Sequence, residues 1–529
     1  MEININKPII GSKSMVVSPH YLASMAGNTI LEQGGNAYDA AVAVAACLNV
    51  VYPHMTGAGG DSFWLTYTPK EGKVRAYNGA GRSGSKVTRD LYKGKDAIPF
   101  RGIEAAITVP GQVDAWDAMV SEYGNLTLKE VLAPAIDYAT NGFPYTRDQH
   151  INTNKNLEIL SNIPITKDTY TPNGQAPKPG TRFYQKDLGK SLSLIAEKGR
   201  DVFYKGELGK RITDYVQSQG GYLTMEDFEE HKGFWTEPIS TTYRGYTMYQ
   251  MTPPTQGMAC LTTLNILENF DMSKIEHGSF EYYHLLVEAI KKAFEDRNAH
   301  LTDPTFHDIP LDRILSKEYA KECAKEISAK ASDLDSALVG ADTCYAAVAD
   351  KDGNCVSVIL SIYHEFGSGV VAGDTGILLQ NRGSFFSLDP NHVNTLEPNK
   401  FTFTTIIPAM ACKDGKPVIL YGTQGGEGQP QTQTAIITRM IDYGMDPQEA
   451  VSQPRWLYGR TWGVEMLDLK IESRFDEAVI QKLKDAGHEV RVVKDYDDFM
   501  GHAAAIVMDE NGFKQGGVDP RGDGAAIGK

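Results

Sequence analysis

The strongest constraint on the fold lies in the last third of the chain, where strand–turn–strand units recur. TCYAAVAD and CVSVILSI flank the turn KDGN, with Asp352-Gly353 at its centre. PAMACKDGKPVILYGT turns at Asp414-Gly415, and HAAAIVMDENGFKQGGVD turns at Asn511-Gly512. Asp-Gly and Asn-Gly between apolar, β-branched runs are hairpin signals. Between the last two hairpins, TAIITRMIDYG and FDEAVIQKLKDAGHEV read as helices. The region before Thr343 is richer in helix. Together they predict layered helices and sheets, an α/β (α+β) architecture.

Near the N-terminus, Ser18-Pro19 predicts a helix start and Gly34-Gly35 its stop. A second helix, AYDAAVAVAACLNVV, opens at Asn36 and ends before Pro53. Its small side chains let another backbone approach closely. TGAGGDSFWLTYTP then reads as a glycine-rich turn feeding a strand over 62–67. Residues 105–340 read as helices with polar loops, clearest over 258–270 and 280–298. A charged amphipathic helix over 316–331 runs into SDLDSALVGAD, an exposed connector without apolar period.

Composition excludes several classes. The 529 residues, 41% hydrophobic and 22% charged, are ordinary for a globular protein. A net charge of −15 with no basic run argues against nucleic acid or an anionic membrane as partner. The longest apolar stretch, 40–52, falls short of the ~18 residues of a membrane-spanning helix. MEININKPIIGSKSMVV lacks the apolar run of a secretory leader. Six cysteines are dispersed with no C-x-x-C pair, which predicts neither disulfides nor a zinc site and points to the cytoplasm.

Two glycine-rich turns have chemical potential. Gly57–Gly60 lacks the Lys-Ser/Thr of a phosphate loop and the strand–GxGxxG–helix order of a dinucleotide site; close packing is the favoured reading, with a functional turn as the alternative. In PVILYGTQGGEGQPQTQTAII an apolar strand runs into Gly422, Gly425, Gly426 and Gly428 and then a helix. Free N–H groups there can hold an anion or an acyl-transfer oxyanion; a tight strand-to-helix turn has the same sequence. His54, His364 and His502 have no metal-ligand spacing and read as satisfied polar or core residues. Thr343 alone says nothing.

Taken together, TCYAAVADKDGNCVSV, FGSGVVAGDTGILLQN and GTQGG resemble, in order and spacing, the small subunit of the γ-glutamyltransferases. GNTILEQGGNAYDAAVAVAACLNVVYPHMTGAGGDSFWL resembles the start of their large subunit. The resemblance covers nearly the whole chain. It implies a proenzyme of the N-terminal-nucleophile (Ntn) hydrolase class, an αββα four-layer sandwich with additional large-subunit helices. The chain would cut itself between Asp342 and Thr343. Residues 1–342 would form the large subunit and 343–529 the small one, together one catalytic unit, as a single pair or a dimer of pairs. Thr343 would be the nucleophile, with its new α-amine as base. Gly425 and Gly426 would form the oxyanion hole, and Ser361 would support the nucleophile. Thr404 and Thr405 stand where the family has two substrate-side serines. No cofactor and no metal are implied.

The departures from that pattern concern the substrate. The family's carboxylate-binding Arg aligns with Ala80, with Arg82 two positions on; its ammonium-binding Asp aligns with Phe385. A family Gln is Arg382 here, and a family Asn is Tyr363. An aromatic ring cannot neutralise an ammonium group. NRGSFFSLDP and GGEGQPQTQ instead resemble a sister branch with oxamate amidohydrolases and acylase-like members. Arg382 is then an available clamp for a substrate acid group, or else half of a structural ion pair. The expectation is an amidohydrolase acting on a small acid amide of the oxamate type. A γ-glutamyl hydrolase or transferase on glutathione-like donors is the alternative, and an uncleaved binding protein the third.

Overall fold

A computed structural model describes residues 7–332, 342–459 and 468–529. The part of the expected connector over 333–341 lies outside them. Two seven-stranded sheets form the centre. One runs Ile9–Gly11, Lys514–Val518, Ala503–Met508, Lys416–Thr423, Ala409–Lys413, Tyr246–Gln250, Ile239–Tyr243. The other runs Ala525–Gly528, Met15–Ser18, Asp342–Ala349, Cys355–Tyr363, Asp61–Thr68, Lys73–Gly79, Phe234–Thr236. All pairings within these two sheets are antiparallel.

Alternation along each strand divides the core. Val17, Phe63, Tyr345 and Ala347 of one sheet meet Met410, Leu420, Ala504 and Ile506 of the other in a single buried cluster. On the outer face of the second sheet, Ala346, Val348 and Val358 pack with Ala37–Val51 and its neighbouring helices. On the outer face of the first, Ala411, Ile419, Tyr421 and Ala505 pack with helices Gly257–Leu267, Phe280–His300 and Gly428–Ile441. The result is helix, sheet, sheet, helix: the expected αββα sandwich. Both sheets draw strands from either side of Thr343.

Helix Ala37–Val51 is buried along its whole length, as an all-round apolar helix must be. Its start is fixed by a reciprocal cap: Asn36 Oδ1 accepts from the Tyr38 and Asp39 N–H, and Asp39 accepts from the Asn36 N–H. The hairpins turn where expected, with positive φ at Asp414, Gly415, Gly353 and Gly512.

Several boundaries differ from the sequence reading. Ser18 ends strand Met15–Ser18, and the helix Tyr21–Glu32 is capped by His20, whose Nδ1 accepts from the Leu22 N–H. The strands over 234–250 lie in a region read as helices and loops; their Arg244-Gly245 turn, with φ 49° and 83°, carries no Asn-Gly or Asp-Gly signal. Helix Lys317–Glu326 ends before 331. Helix Gly428–Ile441 begins well ahead of its apolar run. Its first turns bury Gln429, Gln431 and Gln433, each satisfied by hydrogen bonds, so polarity there hides the helical period.

Candidate active site

Thr343 is the second residue of strand Asp342–Ala349 and is fully buried. The ladder is irregular at this point. Asp342 pairs with Tyr363 but Cys344 with Leu360, so two steps on one strand face three on the other. Tyr363 takes φ 83°, a left-handed conformation that costs a bulky residue energy and needs outside support. Part of that support is Ser361, whose Oγ accepts from the Tyr363 N–H at 2.8 Å. Ser361 thus acts on the strand opposite Thr343.

The glycine turn between strand Lys416–Thr423 and helix Gly428–Ile441 supplies the facing wall. Gly425 and Gly426 have φ 119° and 53°, which suits glycine. Their carbonyls accept from the Gly428 and Gln429 N–H at 2.8 and 3.1 Å. Among the described residues no acceptor is found for the Gly425 or Gly426 N–H. Three residues beyond Gly426, Gln429 Nε2 donates to Thr343 Oγ1 at 3.2 Å.

The predicted residues form a closed circuit of contacts. From Gln429 the chain leads back to Gly426, whose carbonyl accepts from Gln256 Nε2 at 2.9 Å; the same amide donates to the Thr405 carbonyl at 2.7 Å. Adjacent Thr404 Oγ1 accepts from Arg382 Nη1 at 2.7 Å. The Arg382 guanidinium lies 5.6 Å from the Tyr363 ring, and Tyr363 pairs with Asp342 beside Thr343. Phe385, partly buried, packs edge-on to Tyr363 at 5.3 Å and against Phe403 at 4.7 Å.

Arg382 is buried and its Nε donates to Asp61 Oδ2 at 2.8 Å. Asp61 Oδ1 also accepts from Gln380 Nε2 and the Gly81 N–H. Burial lowers the guanidinium pKa, and the Asp61 carboxylate opposes that shift. The ion pair is formed at 2.8 Å, and among the described residues Arg382 Nη2, Thr405 Oγ1 and the Tyr363 hydroxyl are buried without a hydrogen-bond partner. Such orphaned groups are costly unless something meets them. A fork through Nε is taken by Asp61, so a ligand would meet Arg382 at Nη2.

Arg82 is not part of this circuit. It pairs with Asp303 at 2.7 Å, donates to the Asn399 carbonyl, and stacks on Phe401 at 3.9 Å. It lines a surface cavity of about 400 Å³ with Asp227, His231 and Phe306.

Asp61, Gln256, Arg297 and Gln429 were not singled out from sequence. Arg297, fully buried, donates to Gln256 Oε1 at 3.0 Å and faces Glu427 at 3.4 Å, which holds the amide that bridges Thr405 and Gly426. Only Gln429 carried a local signal, inside the GGEGQPQTQ string. Among the described residues one trio could in principle hold a metal: His284, Glu288 and His488. It lies outside the circuit; His284 Nδ1 is 2.8 Å from His488 Nε2 and Glu288 2.8 Å from Lys291, while His488 Nδ1 has no hydrogen-bond partner among the described residues. All six cysteines are buried, and none is joined to another in a disulfide. No helix among the described residues is long and apolar enough to cross a membrane.

Comparison with known proteins places this geometry. A family model described as gamma-glutamyltranspeptidase matches residues 23–529. The glutathione hydrolase-like YwrD proenzyme of Bacillus subtilis is 65% identical over 99% of this chain and 100% of its own. The oxamate amidohydrolase proenzyme of Klebsiella pneumoniae is 42% identical over 98% of this chain and 99% of its own. The crystal structure of cephalosporin acylase from Bacillus halodurans superposes with a TM-score of 0.92, at 37% identity, over 100% of this chain and 98% of that one. The chain belongs to the gamma-glutamyltranspeptidase family and is an Ntn-type enzyme of its amide hydrolase and acyltransferase kind.

Proposed function

We propose that this chain is a proenzyme that cuts itself between Asp342 and Thr343 and then hydrolyses a small acid amide through a threonyl ester. In the first step Thr343 Oγ attacks the Asp342 carbonyl. The peptide C–N bond breaks, the acyl group moves to oxygen, and the nitrogen becomes a free α-amine. Water then hydrolyses the ester, leaving Asp342 as a carboxylate and Thr343 as a chain end. Its α-amine, with an ordinary pKa of about 7.7–8.0, is partly neutral near pH 7 and can serve the adjacent hydroxyl as base. In turnover the same hydroxyl attacks the substrate amide, the Gly425 and Gly426 N–H groups take the developing oxyanion, the C–N bond breaks and the amine leaves with the hydroxyl's proton; water then hydrolyses the threonyl ester, releasing the acid and restoring the hydroxyl. Residues 1–342 and 343–529 would remain one unit, since both sheets combine strands from the two parts.

The observation that carries the substrate class is the buried Arg382, whose Nη2 has no hydrogen-bond partner among the described residues. A carboxylate one or two bonds from the scissile carbonyl would satisfy it. The name of the Klebsiella relative, oxamate amidohydrolase, fits that reading. Phe385 and Tyr363 supply no anion for an amino acid's ammonium group, which weighs against a γ-glutamyl donor. Six cysteines with no disulfide among them support a reducing compartment such as the cytoplasm.

A substrate panel tests the proposal. Oxamate and other dicarboxylic monoamides should be turned over and γ-glutamyl-p-nitroanilide poorly or not at all. The reverse ranking overturns the substrate class. A single full-length band on a denaturing gel of active protein overturns the mechanism.

A further inference from the structure

A second buried polar network touches the glycine turn from behind. The His502 carbonyl accepts from the Gln424 N–H at 2.9 Å and from Thr423 Oγ1 at 3.1 Å. A Cβ on Gly425 would lie 3.6 Å from Gly501 Cα. The backbone at 501–502 is therefore the bed on which Gln424–Gly425 rests.

The His502 side chain is held by Asp498, on its own side of the proposed cut, and by Tyr52 on the far side. Its Nε2 forms an ion pair with Asp498 Oδ1 at 2.8 Å, and Asp498 Oδ2 is met by Lys155 at 3.3 Å. Its Nδ1 lies 3.1 Å from the Tyr52 hydroxyl. That hydroxyl gives its single proton to Asp148 Oδ2 at 3.0 Å, and Asp148 is also faced by His54 at 3.6 Å. Carboxylates accept only. With the Tyr52 proton committed to Asp148, Nδ1 is left to donate, and a carboxylate oxygen 2.8 Å from Nε2 favours a proton there too. The network thus assigns His502 as an imidazolium. Burial alone would lower its pKa, but Asp498 and Asp148 raise it to about 9.

We propose that His502 is a positioning residue: its imidazolium, anchored to Tyr52 and Asp148, locks the backbone that aims the Gly425–Gly426 N–H pair and, one step on, Gln429 at Thr343. The cut at Thr343 would leave this tie intact, because it crosses between the two parts through side chains. The inference rests on the reading of Gly425 and Gly426 as the oxyanion hole.

The test uses the full-length protein with His502→Gln, which removes the charge, and Tyr52→Phe, which removes one anchor while keeping the ring. Self-scission of fresh precursor needs no added substrate; turnover is read with oxamate and γ-glutamyl-p-nitroanilide. A loss of aim of this kind should slow scission and kcat about 10–100-fold in His502→Gln and about 3–10-fold in Tyr52→Phe, with KM changing less than about threefold. The double variant should be no slower than His502→Gln alone, since both cut one tie. Scission and kcat within twofold of wild type in either variant, a loss confined to KM, or losses that multiply in the double variant would overturn the proposal. If His502→Gln fails to fold, Tyr52→Phe decides. Thr343→Ala run in parallel separates the two readings: if it is still cut and active, the nucleophile assignment falls whatever His502 does.

Discussion

Gln429 holds Thr343 by donation: its Nε2 gives a hydrogen bond to Thr343 Oγ1 at 3.2 Å while its Oε1 accepts from the Ile407 N–H at 3.1 Å. A donor on the hydroxyl oxygen leaves the hydroxyl's own proton free to depart toward a base, and the anchored Oε1 fixes which amide end faces Thr343.

Replacing Gln429 by Met keeps the volume and removes the donation. Scission and turnover should each slow about 10–100-fold, the usual cost of losing the aim of a reacting group. A gel time course of precursor and a parallel kcat measurement check this. Unchanged rates would show that the contact plays no part in reaching the reactive geometry.

The Asp61–Arg382 pair makes an asymmetric prediction. Asp61→Asn leaves a buried guanidinium without its counter-ion, which typically destabilises by about 3–5 kcal/mol. Arg382→Lys keeps a charge for Asp61 but loses the planar group that reaches Thr404 and leaves Nη2 for a ligand. It should cost less in stability and more in KM for a dicarboxylic monoamide, by about 10–150-fold if one charge-assisted hydrogen bond of about 1.5–3 kcal/mol is lost. Denaturant melts and Michaelis curves on both variants separate the two effects.

What was legible in the sequence follows from distance along the chain. Thr343, Gly425 and Gly426 could be singled out only because the strings around them resemble a known family in order and spacing; Thr343 by itself carried no signal, and the glycines read equally well as a tight turn. The hairpins were legible because Asp-Gly and Asn-Gly fix local torsions. Asp61 was not, because its partner Arg382 is 321 positions away and only the sheet brings them together. Gln256 and Arg297 likewise act on the site through tertiary contacts that no local pattern records. The early start of helix Gly428–Ile441 was hidden because its buried face is glutamine, satisfied in ways that periodicity cannot see.

The charge on His502 predicts a pH dependence of stability. Its folded pKa is raised to about 9, first against burial and then by Asp498, Asp148 and Asp519. The unfolded value is about 6.5. The stabilisation is therefore whole below about pH 6.5 and is lost as pH rises toward and through 9, a change on the order of 3 kcal/mol. Thermal melts of an uncut Thr343→Ala protein between pH 6 and 9.5 should show the midpoint falling, and the same series with His502→Gln added should lose most of that slope. Parallel slopes would mean that His502 is not charged in the folded protein.

Gly60 offers the sharpest test of how the site is built. It is fully buried, and a Cβ there would collide with the Ser361 carbonyl and lie 2.8 Å from Ile362 Cγ2. Ser361 pairs with Asp61 across the sheet, so the turn and the strand carrying Tyr363 are pressed together at this point. Gly60→Ala must push that strand away, a strain of about 1–3 kcal/mol or more, and the displacement passes directly to Ser361 and to the backbone opposite Asp342. Gly72→Ala is the matched control: its φ of 66° is strained for alanine, but nothing lies within 4 Å of the added carbon. Gly72→Ala should lower the melting point slightly and leave scission unchanged, whereas Gly60→Ala should slow scission out of proportion to any loss of stability. Equal behaviour of the two variants would mean that the close approach at Gly60 serves packing alone and does not set the geometry around Thr343.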